Sequence, residues 1–103
     1  MIRIEHSDGR AGPVLFCDHC GGRIDDAELA WYEWLEAPSN RVIGEVYFLH
    51  KRCVDPFERE HPSGENEIWA NMELEYFPIY LGYNLNLNWE QAHERAMSDY
   101  HYR

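Results

Sequence analysis

The chain opens with an alternating pattern of apolar and polar side chains. Two isoleucines alternate with charged residues over residues 1–6, a pattern that predicts a short β-strand. Residues 8–13 contain two glycines and a proline, so we expect a turn or loop there. The three apolar residues at 14–16 then lead directly into a cysteine.

Two longer apolar segments follow, and they predict a β-hairpin. Residues 29–36 and 41–49 are both rich in aromatic and branched side chains, and residues 37–40 between them contain proline and asparagine. Alternation places aromatic residues of the first strand on both of its faces. Each face of the hairpin must therefore be covered, either by another part of the chain or by another protein.

One face of the hairpin is expected to pack on the cysteine-containing turn and a short helix. The other face is expected either to lie under the C-terminal helices or to stay exposed as an aromatic patch for another protein. The residues expected to cover it are Trp69, Met72, Phe77 and Trp89. The candidate residues of an interaction surface are Trp31, Tyr32, Trp34 and Tyr47.

The second half of the chain shows helical spacing. Residues 54–61 predict a short helix that ends at Pro62. Ser63 is suited to cap a second helix, which Pro78 should end or kink. The apolar face of that helix is predicted to be Ile68, Trp69, Met72, Tyr76 and Phe77.

A last helix is predicted over residues 89–100, after an alternating segment. Residues 83–89 alternate strictly and are compatible with a strand, but we favour an extended link between helices. Asn88 can cap a helix from Trp89 to about Tyr100, in a capping box completed by Gln91. The predicted inner face of this helix is Trp89, Ala92, Ala96, Met97 and Tyr100.

Composition adds a strongly acidic charge to this picture. The formal charge is −10, from 19 acidic and 9 basic residues spread along the whole chain. Such a surface repels nucleic-acid phosphates and anionic lipids, so we expect neither direct nucleic-acid binding nor a membrane partner. Two interpretations stay open: the charge serves solubility, or it competes with nucleic acid for a basic site on a target protein.

Cysteine usage bears on the compartment. The chain has three cysteines, so at least one stays outside any intramolecular disulfide. No apolar segment of signal-peptide length stands near residue 1. Both features favour a reducing environment, and we expect a cytoplasmic protein.

The cysteines also belong to a four-residue pattern. Cys17 and Cys20 stand three positions apart, residues 21–49 follow, and His50 and Cys53 repeat the same spacing. Thiolates and imidazoles are the ligands of tetrahedral structural zinc sites, and two ligands this close can reach one ion from a tight turn. The predicted hairpin brings its two ends side by side, so the two pairs are expected to share one zinc ion.

Together with Gly21, this pattern resembles the treble-clef zinc fingers, a class that includes the first half of a LIM domain. In that class a zinc knuckle leads to a β-hairpin and then to a short helix. The resemblance covers roughly residues 15–60, with residues 54–58 in the place of the helix. It implies one structural zinc ion held by Cys17, Cys20, His50 and Cys53.

The expected fold is therefore of the α+β class. A treble-clef-like zinc knuckle, the β-hairpin and the short helix should pack against C-terminal helices. The length of 103 residues suits a single domain. We expect a zinc-binding β-rich module over residues 1–62 and a helical part over residues 63–103.

Other interpretations of the cysteines remain open. Cys17 and Cys20 have the spacing of a thioredoxin-type redox pair, although the glycines after Cys20 oppose the helix that would stabilise a thiolate there. An iron–sulfur cluster would accept the same four ligands. His19 could replace His50, but we interpret it as an exposed residue of the knuckle.

The sequence predicts no catalytic site. Four protein ligands close the coordination shell of a zinc ion, whereas catalytic zinc keeps one position open. Carboxylate pairs such as Glu33 with Glu36 are expected by chance in so acidic a chain. We expect a non-enzymatic, zinc-stabilised module for protein–protein interaction. The alternatives are an acidic inhibitor or regulator that competes with nucleic acid, and a small redox protein.

Overall fold

The computed structural model describes residues 1–37 and 44–99. In these ranges the chain forms two antiparallel three-stranded sheets and three α-helices, which confirms the α+β class. The strands are β1 (Ile2–Ser7), β2 (Arg10–Phe16), β3 (Arg23–Ile24), β4 (Ala30–Glu36), β5 (Tyr47–His50) and β6 (Ile68–Glu73). The helices are α1 (Val54–Glu60), α2 (Phe77–Asn84) and α3 (Trp89–Ser98). The strand orders are β1–β2–β3 and β5–β4–β6.

The first sheet is built on a tight hairpin. The strand predicted at 1–6 is confirmed as β1, which pairs along its length with β2. The turn between them is only Asp8-Gly9, with φ of 51° and 76°, so the loop expected over 8–13 is too long. Positive φ at both residues gives a turn whose twist matches that of the two strands. Strand pairing therefore starts directly at Ser7 and Arg10. Pro13 is tolerated in β2 because β3 does not extend that far along it.

The predicted aromatic hairpin is confirmed as β4 and β5, which pair over the whole of β5. Its second strand is shorter than expected. The strand begins at Tyr47, and residues 44–46 before it are not part of a strand. The predicted strand residues 41–43 and the predicted turn residues 38–40 lie outside the described residues.

The helix predicted from Ser63 is wrong over residues 68–73, which form strand β6 instead. β6 pairs along its length with β4, on the side that β5 leaves free. Backbone groups of β4 on that side need partners, and long-range pairing therefore overrides the helical spacing of the segment. Pro78 does not end a helix. It stands in the first turn of α2, where its missing N–H removes no helical hydrogen bond.

One face of the β5–β4–β6 sheet packs on α1. The ring of Phe57 lies 5.2 Å from that of Tyr47 and 5.4 Å from that of Trp69, centroid to centroid. Phe57 is 1% exposed and is the largest fully buried side chain of the described core. The predicted short helix over 54–61 is thereby confirmed, and it covers the hairpin as expected.

The other face of this sheet packs on the start of α2. The ring of Phe77 lies 5.1 Å from Tyr32 and 5.0 Å from Phe48. Of the other residues expected to cover this hairpin, Trp69 and Met72 belong to β6 within the same sheet. The C-terminal segment thus extends the sheet beside the hairpin with β6 and covers one face of it with α2.

The last helix begins as predicted. The side chain of Asn88 accepts a hydrogen bond from the N–H of Gln91 at 3.1 Å, and residues 85–88 form a link rather than a strand. The predicted inner face is wrong, because α3 has no buried residue among those described and Trp89 is 49% exposed. Its expected member Tyr100 lies outside the described residues. Helical spacing alone does not decide whether another element buries the apolar face of α3.

The contact between α2 and α3 rests on a glycine. A Cβ placed on Gly82 would lie 2.5 Å from Cζ2 of Trp89, so the indole occupies the space that any side chain at this position would fill. Gly82 is buried, and its carbonyl accepts a hydrogen bond from the N–H of Leu87 at 2.9 Å. The turn between the two helices is therefore closed around this residue.

We expect Gly82→Ala to destabilise the chain by about 1 kcal/mol. Crowding of Trp89 should cost about 1–3 kcal/mol, and the higher helix propensity of alanine should return about 1 kcal/mol. In a Trp89→Ala background the crowding is gone, so the same change should become stabilising. Urea unfolding of the two single variants and the double variant measures this change of sign. Additive effects would contradict the contact.

Candidate metal centre

The two predicted ligand pairs come together in space. Ligand atoms of Cys17, Cys20, His50 and Cys53 all lie within 4.8 Å of one another. Cys17 directly follows β2, His50 ends β5, and Cys53 directly precedes α1. The group can therefore hold one metal ion at the meeting point of both sheets and the first helix.

The first pair is held by a tight backbone turn. The N–H of Gly21 donates to the carbonyl of Cys17 at 2.9 Å, and the N–H of Cys17 donates to the carbonyl of Gly22 at 2.8 Å. Gly21 has φ of 74°, a conformation that other residues adopt at a cost. A Cβ on Gly22 would lie 3.3 Å from the sulfur of Cys20, so the second glycine provides room for the thiol. Each glycine thus has a separate role.

Asp18 ties this turn to the second pair. Its N–H donates to the carbonyl of Phe48 at 2.8 Å, and its Oδ2 accepts from the N–H of Phe48 at 2.8 Å. The amino group of Met1 lies 3.1 Å from the same oxygen. Phe48 stands two residues before His50, so these bonds set the distance between the ligand pairs. No local pattern predicts this role of Asp18, because its partner Phe48 is thirty residues away.

The contacts of His50 assign its two ring nitrogens different roles. Nδ1 lies 3.4 Å from the sulfur of Cys20, and Nε2 lies 3.2 Å from the carbonyl oxygen of Arg23. A carbonyl accepts hydrogen bonds, so Nε2 carries the proton and Nδ1 directs its lone pair at the thiols. In a tetrahedral zinc site, bonds of about 2.3 Å to sulfur and 2.0 Å to nitrogen separate the two ligand atoms by about 3.5 Å. The observed distance fits this geometry.

The buried thiols differ in their acidity. Burial opposes ionisation of Cys17, but hydrogen bonds to the surrounding backbone, foremost at Cys20, outweigh it and lower the pKa of this thiol to about 6. Burial raises the pKa of Cys53 to about 12, and the nearby sulfurs of Cys17 and Cys20 add to the shift. A cation is needed to hold several thiolates together in so small a space.

His19 lies apart from this group. Its side chain is 22% exposed, and Nδ1 lies 3.6 Å from Oε2 of Glu60 in α1. The expectation of an exposed residue is therefore wrong, because α1 partly covers the imidazole. The four residues that converge are those of the predicted pattern, without His19.

The four residues predicted to form an interaction surface lie on opposite faces of the β5–β4–β6 sheet. Tyr32 and Trp34 stack at 5.4 Å on the face that α2 covers. Alternation along β4 places Trp31 on the α1 face, where its indole N–H donates to Oε1 of Glu73 at 3.1 Å. Tyr47 lies on that same face. The four residues therefore do not form one continuous patch.

A buried carboxyl group lies on the α1 face of β4. Glu33 is 0% exposed, and neither of its carboxyl oxygens has a hydrogen-bond partner within the described part of the chain. Burial, with the nearby carboxylates of Glu58 and Asp55 on α1, raises the pKa of Glu33 to about 8. The group is therefore largely protonated at neutral pH. The sequence offered Glu33 only as half of a chance pair with Glu36, since its burial depends on the packing of α1.

Comparison of the chain with protein-family models, with curated proteins and with solved structures gave no match. The class of the molecule therefore rests on its own geometry: a small α+β protein with a Cys3His group that can hold one metal ion. Among the helices of residues 1–37 and 44–99, none has the length and hydrophobicity of a membrane span.

Proposed function

We propose that the chain is a non-catalytic module for protein–protein interaction, stabilised by one structural zinc ion bound to Cys17, Cys20, His50 and Cys53. The observation that carries the metal is the convergence of these four ligand atoms within 4.8 Å. Three thiolates and one imidazole suit zinc, and the pairwise spacing is that of structural zinc sites. The order of knuckle, hairpin and short helix supports a treble-clef-like arrangement.

The donor set supports a structural rather than a catalytic ion. Four protein ligands fill a tetrahedral shell and leave no position for water or substrate. Cys17, Cys53 and His50 are buried at 1%, 5% and 8% exposure, so the ion would lie in the core rather than in a cleft. The proposed role of the ion is to join both sheets and α1.

A redox role for Cys17 and Cys20 is less well supported. A thiol that attacks a substrate must be accessible, and Cys17 is 1% exposed despite its lowered pKa. Cys20 is exposed, but the glycines after it form a tight turn and not a helix. An iron–sulfur cluster remains the alternative occupant of the same ligands, and a cytoplasmic location would suit either.

Native mass spectrometry of the chain purified without added metal tests the proposed ion. We expect one zinc ion per chain, lost together with the compact charge states when acid or a strong chelator is added. Iron with inorganic sulfide would contradict zinc. A metal-free chain whose mass rises on reduction by two hydrogen atoms would show a disulfide and favour the redox interpretation instead.

Affinity capture with the zinc-loaded chain tests the proposed interaction. Reproducible recovery of one partner supports the module, and failure to recover any partner from its native cell extract contradicts it. The dependence of affinity on salt concentration distinguishes electrostatic binding from binding through an apolar surface. Binding by an acidic competitor of nucleic acid should weaken steeply between low and high salt, whereas binding through an apolar surface should not.

A further inference from the structure

Helix α2 is apolar on all sides and yet lies largely at the surface. Of its eight residues only Gly82 is buried, whereas Ile79, Tyr80, Leu81 and Tyr83 are between 44% and 71% exposed. A helix without a polar face is ordinarily enclosed by protein. Exposed apolar residues that adjoin one another in this way mark an interaction surface more often than scattered ones do.

A groove continues this surface onto the sheet. It lies between α2 and the face of β4 that carries Tyr32 and Trp34, and its volume is about 390 Å³. A groove of this size admits several apolar side chains of a bound segment. Its lining includes Tyr32, Trp34, Val46, Met72, Phe77 and Leu81.

The charge around this surface is negative. No residue from 77 to 84 is charged, and the charged side chain that lines the groove is Glu36. With a net charge of −10, the surroundings favour a basic partner and disfavour a second copy of the same chain.

We propose that α2 and this groove bind a segment of another protein whose apolar side chains are flanked by lysine or arginine. The inference rests on the proposed function and names the surface and the chemistry of its partner. Apolar side chains of the segment fill the groove along Leu81, and its basic residues face Glu36. Aromatic walls and an apolar centre with a charged rim are the composition of a protein interface.

A helical peptide of leucine and lysine in amphipathic order tests this proposal, with a leucine–glutamate peptide of the same pattern as its counterpart. NMR titration of the isotope-labelled, zinc-loaded chain reports both affinity and location. We expect the lysine peptide to bind, with shifts concentrated at Trp34, Phe77 and Leu81, and the glutamate peptide not to bind. Equal binding of both peptides, or shifts centred elsewhere, would overturn the proposal.

Leu81→Ser should weaken binding of the lysine peptide by about tenfold or more, because it removes the apolar wall of the groove. Ile4→Ser on β1 is the matched control: it removes another exposed aliphatic side chain, far from the groove in the β1–β2–β3 sheet, and should leave affinity unchanged. Equal effects of the two substitutions would overturn the assignment of the surface.

Two further measurements discriminate other occupants. Sedimentation equilibrium should show a monomer; a dimer that Leu81→Ser dissociates would replace the basic segment with a second copy. Flotation with neutral phosphatidylcholine vesicles should show no binding. Flotation that Leu81→Ser abolishes would instead identify a lipid surface as the occupant of the groove. Capture of the same partner by wild type and Leu81→Ser would refute this surface while the proposed function stood, whereas capture of no partner would refute the proposed function itself.

Discussion

Replacing Cys53 with serine is expected to leave the chain unfolded at neutral pH. A structural zinc site contributes on the order of 10 kcal/mol of folding free energy, which is comparable to the whole stability of a small domain at about 5–15 kcal/mol. Serine supplies no thiolate, so the proposed ion would keep three of its four protein ligands. The loss should therefore exceed what the core can offset.

The position of Cys53 extends the expected unfolding from the ligand group to α1 and the hairpin. It is 5% exposed and immediately precedes α1, whose Phe57 covers one face of the β5–β4–β6 sheet. A serine hydroxyl at this place would be buried beside the two remaining thiols and would be a poor ligand for the ion that they share. We expect α1 to detach and the hairpin to lose its cover, so that the far-ultraviolet circular dichroism and the chemical-shift dispersion of the chain are lost together.

A matched pair of histidine variants controls this experiment. His50→Ala should resemble Cys53→Ser, because it also removes a ligand. His19→Ala stands in the same knuckle but outside the ligand group, and loss of its partly exposed contact with Glu60 should cost about 1 kcal/mol or less. Thermal unfolding and zinc content are the readouts. A Cys53→Ser chain that keeps its fold, melting temperature and metal would refute a structural site.

Glu33→Gln is expected to stabilise the chain at pH 8 and above by a few kcal/mol. Packing of α1 raises the pKa of Glu33 from its ordinary 4.5 to about 8, through burial and the carboxylates of Glu58 and Asp55. Tyr47 and Asn71 flank it across the strands and bring no positive charge. An ionised carboxylate there is costly, whereas a glutamine keeps the shape of the protonated acid without being able to ionise.

The sign of the pH dependence follows from proton binding. Between about pH 4.5 and 8 the folded chain holds a proton on Glu33 that the unfolded chain releases. Stability contributed by this proton is present below pH 4.5, falls as the pH rises through this range, and is lost above about pH 8. The wild-type chain should therefore lose stability relative to Glu33→Gln as the pH increases.

Urea unfolding of the zinc-loaded proteins between pH 6 and pH 9 measures this difference. The comparison between variants cancels the titration of the metal ligands, which both share. Glu28→Gln makes the same substitution at an exposed position, so it reports the general effect of replacing one glutamate with glutamine. If Glu33→Gln and Glu28→Gln follow the same pH profile, the buried carboxyl has no part in stability.

Several features were predictable because their causes are local. The spacing of Cys17 and Cys20, with Gly21 after them, is enough to form a tight turn with both thiols on one side. The Asn88 cap needs only the N–H three residues later, and the alternation of β4 needs only its own pleat. Hydrogen bonds and steric preferences over a few residues decide such elements, and these are visible in the order of side chains.

The packing partners were decided by the tertiary structure. Residues 68–73 carry a pattern compatible with helix and strand, and they become β6 because the free side of β4 offers hydrogen bonds that water would otherwise supply. The helical pattern of α3 is real, but apart from the contact of Trp89 with α2 its apolar side chains stay unburied. Glu33 is buried, and its pKa is raised, only because α1 packs over it. The sequence by itself determined which side chains form the Cys3His group and where short turns and caps lie. The fold decided which strand closes the sheet, which acid is buried and which apolar helix stays exposed, because those outcomes depend on contacts between residues far apart in the chain.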